Sequence, residues 1–276
     1  MGKDVIVVIG AGAIGIAIGR RQGTGKHVLL ADYNEQNLER AKAALEDAGH
    51  EVSTHPVDVS EGDSVNALAD HAATLGPVVQ VIQTAGLSPA QATPQALLAV
   101  DLYGTAIVLD EFARVIAPGG AGLVVSSMAG HMFPMLLEEQ QALLSTQTRD
   151  LLALPFITAI QNSTQAYCVA KKANQLHVQR AAATTWGDRG ARVNAISPGI
   201  VLTPLARDEL NSAAGDGYRA MVRTSASKRM GTVDEIAAAA NFMLGQDAAF
   251  MTGADLLIDG GVIPAMRTGR LPLPGV

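Results

Sequence analysis

Five apolar residues, Val5-Ile6-Val7-Val8-Ile9, run directly into Gly10-Ala11-Gly12-Ala13-Ile14-Gly15. A run this short reads as a strand buried on both faces, since a membrane span needs about 20 apolar residues. The glycines constrain what comes next. Gly10 allows a tight turn, Gly12 lets phosphates approach the backbone, and Gly15 lets a helix pack closely on the strand. The N–H groups of Ala13 and Ile14, at the start of that helix, would then face a diphosphate. Asp32 ends the next apolar run. A carboxylate there accepts hydrogen bonds from an adenosine ribose and repels a 2′-phosphate, so NAD is expected over NADP, with Tyr33 at the same edge. The competing reading of Asp32 is a solvated loop residue.

The rest of the chain keeps this rhythm. Candidate strands are Val5–Ile9, His27–Ala31, Glu51–Val57, Val78–Thr84, Gly122–Ser126, Arg192–Ser197 and Asp255–Ile258. Between them lie helical windows at Ala13–Gln22, Glu35–Ala48, Ser60–Leu75, Pro94–Ile116, Gln165–Trp186 and Val233–Leu244. Leu38, Ala41, Leu45 and Ala48 recur at helical spacing and give one apolar face. Strand–helix alternation with right-handed crossovers predicts an α/β fold, a doubly wound parallel sheet in a single Rossmann-type domain. That domain is expected to span 1–263, with a C-terminal tail at 264–276 and an extended, Pro-containing path after Gly261. Two stretches interrupt the rhythm after strand ends: an insertion at 131–163 and a substrate loop at 202–231.

Charge and cysteine content exclude several function classes. The net charge of −6 gives no general attraction to nucleic acid or anionic lipid. The one cysteine, Cys168, rules out an intramolecular disulfide framework and a cysteine metal cluster. Beside Tyr167 it reads as a small packed helix residue rather than a nucleophile. Six scattered histidines show no metal-ligand spacing, so no metal is expected, and His177 reads as packed or solvent-facing. No signal peptide precedes the first strand, and a cytoplasmic protein is expected.

Other strand ends supply further cofactor candidates. Asp58-Val59 can grip adenine, and the small residues Thr84-Ala85-Gly86 let a cofactor lie against backbone. Pro198-Gly199-Ile200 bends the chain out of a strand, and Thr203 follows within reach of a nicotinamide carboxamide. The chemistry rests on Tyr167 and Lys171. Positions i and i+4 share a helix face, so both side chains project into one cleft. A phenol titrates near 10 in isolation, and a neighbouring ammonium lowers that value by favouring the phenolate. Tyr167 then donates a proton to a carbonyl oxygen or removes one from an alcohol, while Lys171 reaches ribose hydroxyls. Ser127 holds the substrate oxygen toward Tyr167. Against this stands a Tyr and Lys on a half-exposed helix face beside a turn-forming serine.

Taken in order, the glycine turn, Asp58-Val59, Ala85-Gly86, Ser127, Tyr167/Lys171, Pro198-Gly199 and Thr252-Gly253-Ala254-Asp255…Asp259-Gly260-Gly261 resemble the short-chain dehydrogenase/reductases over nearly the whole chain. The resemblance implies a nicotinamide cofactor, a Ser-Tyr-Lys centre, a small-molecule alcohol or carbonyl substrate, and a homotetramer or homodimer. It also implies a catalytic role for Asp101, where relatives often carry Asn. That Asn supports a relay water through its backbone carbonyl, which Asp101 retains. The chain departs from the family in a glycine turn one residue shorter, in Thr84 where Asn is usual, and in a longer Ser127–Tyr167 separation. The Met, Phe and Leu residues of 131–163 are expected to form either a lid over an apolar substrate or a subunit contact. Rival functions are a non-catalytic dinucleotide sensor, which tends to lose the Ser-Tyr-Lys centre, and an enoyl-thioester reductase, which spaces Tyr and Lys more widely.

Overall fold

The computed structural model describes residues 2–90, 92–211 and 214–271. Its first half alternates β1 (Val5–Ile9), α1 (Ala13–Gln22), β2 (His27–Asp32), α2 (Glu35–Glu46), β3 (Glu51–Pro56), α3 (Gly62–Leu75) and β4 (Val78–Gln83). Next come α4 (Pro94–Leu97), a π turn over Leu98–Tyr103, α5 (Gly104–Val115) and β5 (Ile116–Val125). After a 3-10 turn at Met128–His131 follow α6 (Leu137–Ser145), a second 3-10 turn at Thr148–Ala153, α7 (Pro155–Thr158) and α8 (Ser163–Ala183). The chain closes with α9 (Thr185–Asp188), β6 (Arg192–Pro198), α10 (Pro204–Asn211), α11 (Gly215–Thr224), α12 (Val233–Leu244), β7 (Asp255–Ile258) and α13 (Val262–Arg267).

All seven strands pair in parallel in the order β3-β2-β1-β4-β5-β6-β7. The order reverses between β1 and β4, and in open α/β sheets ligands bind at the strands' carboxyl ends at such a switch point. Side chains alternate across the sheet. Val5, Val7 and Ile9 meet Val65, Leu68, Val108, Phe112 and Val178 on one face. Ile6 and Val8 meet Ile18, Leu38, Leu45, Ile236 and Ala240 on the other. β1 is therefore buried on both sides, as its unbroken apolar run predicts.

Four sequence expectations need correction. The window Pro94–Ile116 is helical but not regular, because a π turn interrupts it. Its apolar spacing continues through the widened turn, so periodicity does not show it. β5 begins at Ile116 rather than Gly122, because Ala117–Gly120 bulge out while pairing shifts from Val78↔Ile116 to Gln80↔Ala121. Gly119 there has φ +79°, a conformation glycine adopts without steric cost. α8 stops at Ala183, and Trp186 sits in the separate α9, its indole donating to the Leu109 carbonyl at 2.9 Å. Lastly, the segment after Gly261 is not extended over Val262–Arg267 but forms α13. Pro264 lies in the first helical turn, where the N–H it lacks has no intrahelical partner anyway. Ile263, Ala265, Met266 and Leu271 are buried against Met128, and residues 272–276 of the expected tail lie outside the described residues.

α8 also carries a buried histidine with a measurable consequence. His177 is fully buried, and burial, with Arg180 adding to it, pushes its imidazole down to about 3, while a Leu143 backbone contact works the other way. Between about 3 and the unperturbed 6.5, the unfolded chain binds a proton that the folded chain refuses. Stability therefore falls as pH drops through that window, by about 1.4 kcal/mol per unit. His177→Leu should remove this dependence. Scanning calorimetry from pH 7 to 5 should show the wild type losing roughly 4–8 °C more than the variant; parallel melting curves would contradict the burial argument.

Candidate active site

The glycine turn is built as its spacing demands. Gly10 has φ +97°, and a Cβ on it would lie 2.5 Å from the Ala85 nitrogen. A Cβ on Gly15 would lie 2.1 Å from the Gly10 carbonyl oxygen. Thr84 ties the turn to the fourth strand by donating to the Gly10 carbonyl at 2.8 Å. Thr84, where the resemblance leads to an expected Asn, thus holds the turn through its own hydroxyl. Gly12, the N-cap of α1, is different: a Cβ there would meet nothing within 4 Å, and no side chain caps the helix. The start of α1 thus has no side-chain cap and open space beside Gly12, which suits a phosphate-bearing group.

The adenosine-end candidates combine ligand potential with local structure. Asp32 Oδ2 accepts from the Ala11 N–H at 2.7 Å and Oδ1 from the Asn34 N–H at 2.8 Å. It clamps the glycine turn, and an ionised carboxylate keeps further lone pairs for a ribose. Tyr33 is exposed beside it. Asp58 Oδ1 accepts from the Ser60 N–H and hydroxyl, forming a local turn. Val59 is buried against Gly104, which leaves only its backbone for a ligand.

A cleft of about 690 Å³ opens at the carboxyl ends of the strands. It brings together Ile14, Thr84, Gly86, Ser127, Tyr167, Lys171, Pro198, Gly199, Ile200 and Thr203 from the sequence candidates. Gly10, Gly12, Ala13, Gly15, Asp32, Tyr33, Asp58, Val59, Ala85 and Asp101 lie outside its lining. Thr203 also caps α10, accepting from the Ala206 N–H at 3.1 Å. Gly199 is required by packing, because a Cβ there would lie 2.6 Å from Asp259 Cα.

Tyr167 and Lys171 stand on one face of α8, whose N-cap Asn162 accepts from the Gln165 N–H. The Lys171 Nζ lies 5.3 Å from the Tyr167 ring centre, and the Ser127 hydroxyl lines the same cleft and favours the phenolate. Behind them, Asp101 is fully buried within the π turn. Its Oδ2 lies 3.1 Å from Lys171 Nζ, and its Oδ1 accepts from the Leu87 N–H at 2.8 Å. With its amide oriented so that the nitrogen faces the surrounding acceptors, Asn174 donates to the Asp101 carbonyl at 2.8 Å. Asp101 thus pairs with the lysine through its side chain, while its backbone oxygen already has one donor. Gly86 leaves room for the pair, since its Cβ would lie 3.2 Å from Lys171 Nζ. Sequence reading missed Asn174, although it sits three residues beyond Lys171 on the same helical face.

The electrostatics differ from the expectation in one respect. Burial raises the Tyr167 phenol above its ordinary value; Lys171 opposes this, Asp101 adds to it, the Ser127 hydroxyl lowers it, and Glu209 raises it. The lysine acts in the expected direction, yet desolvation outweighs it. Burial works against the Lys171 cation, but Asp101 and Tyr167 hold it above its usual value. Asp101 is itself raised by burial, with Lys171 and the Leu87 N–H opposing. Burial also pushes the Cys168 thiol up to about 11, as befits a packed residue rather than a nucleophile.

The insertion divides into two parts. Met132 and Phe133 line the cleft, whereas Leu143, Leu151, Ile157 and Ile160 bury against Leu97, Leu102, Ala166, Ala170 and Ala173. Most of 131–163 therefore braces α8 and the π turn rather than covering substrate. Leu136 and Leu137 are exposed. His131 is paired with Asp255 at 2.7 Å. Among the described residues no group of three His, Cys, Asp or Glu side chains is placed to hold a metal, and no helix is long and apolar enough to cross a membrane.

Fold and cleft define a Rossmann-like α/β site at a sheet switch point. Comparison with known proteins makes that class specific. Residues 4–137 match the family model described as short chain dehydrogenase, and residues 134–263 the one described as enoyl-(acyl carrier protein) reductase. A short-chain dehydrogenase/reductase of Alternaria brassicicola, bsc3, is 38% identical over 95% of this chain and 97% of its own length. The D-threitol dehydrogenase of Mycolicibacterium smegmatis is 32% identical over 94% of this chain and 92% of its own. A solved short-chain type dehydrogenase/reductase from Mycobacterium ulcerans has the same fold, with a TM-score of 0.75 at 23% identity, covering 100% of this chain and 99% of that one. The chain belongs to the short-chain dehydrogenase/reductase family and is an oxidoreductase, in a family that generally uses NAD(P).

Proposed function

We propose that this protein is an NAD-dependent oxidoreductase interconverting a secondary alcohol and a ketone. The observation that carries this reading is the grouping of Tyr167, Lys171 and Ser127 in the cleft that Ile14 and Pro198–Ile200 also line. When bound, the nicotinamide supplies the hydride acceptor or donor. The glycine turn and the N–H groups of Ala13 and Ile14 hold the diphosphate. Asp32, Tyr33, Asp58 and Val59 bind the adenosine end. Thr84, Ala85 and Gly86 form a small-residue strip for the cofactor, and Pro198, Gly199, Ile200 and Thr203 border the nicotinamide end.

Ser127 orients the substrate oxygen. Tyr167 takes the hydroxyl proton in oxidation and returns it in reduction. Lys171 stabilises the phenolate and reaches ribose hydroxyls, and Asp101 holds Lys171 in place. The four-residue Tyr167–Lys171 step disfavours an enoyl-thioester reductase, and the complete trio disfavours a silent sensor. Assembly as a homotetramer or homodimer and a cytoplasmic setting complete the proposal; exposed Phe242 and Phe250 supply apolar surface for a subunit contact.

Cofactor choice gives a direct test. Turnover with NAD should exceed turnover with NADP by at least roughly tenfold, as expected of a site that places a carboxylate against the 2′-phosphate. Asp32→Asn, which keeps an acceptor for the Ala11 N–H, should narrow that ratio several-fold. Equal kcat/KM for both cofactors in the wild type would sink the assignment of Asp32.

A further inference from the structure

Beyond the catalytic trio the cleft is walled by Leu87, Pro89, Met132, Phe133, Leu205 and Met221. One carboxylate breaks this apolar lining. Glu209 enters from α10, and Lys171 is the other charged side chain among the described residues lining the cleft. Tyr218, from α11, lines the same wall and hydrogen-bonds to Glu209. Leu205 and Glu209, four apart on α10, share a face, which explains how both reach the cavity. Glu209 and Tyr167 line the same cleft, and the Glu209 charge adds to the raising of the Tyr167 phenol. Burial raises the Glu209 carboxyl, and the Tyr218 hydrogen bond opposes that.

An ionised carboxylate only accepts hydrogen bonds. Partly withdrawn from water, it rewards a donor strongly and penalises another anion. The apolar walls favour a hydrocarbon skeleton around it. We propose that Glu209, held by Tyr218, is the specificity residue of this cleft: it takes a hydrogen bond from a second hydroxyl on a neutral, largely hydrocarbon alcohol, and it rejects alcohols that carry a carboxylate or phosphate. This deepens, and rests on, the alcohol-oxidation reading above.

The test uses one ring with different substituents. kcat/KM with NAD is measured for cyclohexanol, for the 1,2-, 1,3- and 1,4-cyclohexanediols, and for 4-hydroxycyclohexanecarboxylate. At least one diol should exceed cyclohexanol by about tenfold, the return expected from a hydrogen bond to a charged group. The carboxylate should fall at least about tenfold below cyclohexanol. Glu209→Gln keeps shape and an acceptor but loses the charge, so the carboxylate-to-cyclohexanol ratio should rise at least about tenfold. Tyr218→Phe removes the group that holds Glu209 and leaves its charge. It should erode the diol preference several-fold while carboxylate rejection persists. A wild type that accepts the carboxylate as readily as cyclohexanol overturns the inference while the alcohol-oxidation reading survives. So does a Glu209→Gln ratio within twofold of wild type. Absence of turnover on every member of the series overturns the alcohol-oxidation reading, and the inference with it.

Discussion

Tyr167→Phe is expected to lower kcat for alcohol oxidation by roughly 10²–10⁴-fold, the range a positioned acid or base contributes, while NADH affinity stays nearly unchanged. The phenyl ring keeps the place of Tyr167, which packs against the cluster around Leu97, Ala166 and Ala170. The variant loses only the hydroxyl, the group proposed to exchange the proton. Fluorescence titration with NADH and absorbance assays of turnover separate binding from chemistry. A near-normal rate in a folded variant would remove Tyr167 from the mechanism.

Lys171→Met should damage both stability and catalysis. Lys171 and Asp101 form an almost fully buried ion pair, with side-chain exposures of 6% and 0%. Removing one partner of such a pair leaves a stranded charge and typically costs about 3–5 kcal/mol. For a chain of this size that corresponds to a melting temperature lower by roughly 6–20 °C. Without the cation the Tyr167 phenol also rises further, because Lys171 is the largest influence opposing burial. Adding Asp101→Asn to Lys171→Met should recover part of the melting temperature, since the stranded carboxylate is gone, yet recover no turnover. Additive losses in the double variant would mean that the two side chains do not act as a pair.

The parts of this arrangement legible in the sequence are those fixed by local sterics and periodicity. A Cβ at Gly10 or Gly15 would collide with neighbouring backbone once the strand turns into a helix within a few residues, so their spacing, with the strand before and the helix after, marks the turn. The four-residue step places Tyr167 and Lys171 on one face whatever surrounds the helix. Burial is not local, and neither are its consequences. The raised Tyr167 phenol depends on how deeply α8 is covered, which the i and i+4 rule does not contain. The contact between Asp101 and Lys171 joins residues seventy positions apart and depends on a π turn invisible to apolar spacing. The Met, Phe and Leu content of the insertion reads equally as a lid or a subunit contact, but apolar residues serve as well against a neighbouring helix of the same chain, as Leu143, Leu151, Ile157 and Ile160 do here. Glu209 lies in a segment without strong periodicity, so its place in the cleft follows only from how α10 and α11 fold over the strand ends.

We propose that the Tyr167 hydroxyl is the group that exchanges the substrate's proton. The pH dependence of kcat/KM for alcohol oxidation in the wild type, Lys171→Met and Tyr167→Phe tests this directly. Oxidation requires the phenolate, so log kcat/KM should rise with pH along an acid limb. Removing the Lys171 cation, the largest influence holding the Tyr167 phenol down against burial, should move that limb to higher pH. The residual activity of Tyr167→Phe should show no such limb. An acid limb that keeps its slope and position in the phenylalanine variant would place the proton acceptor on another residue and contradict the account.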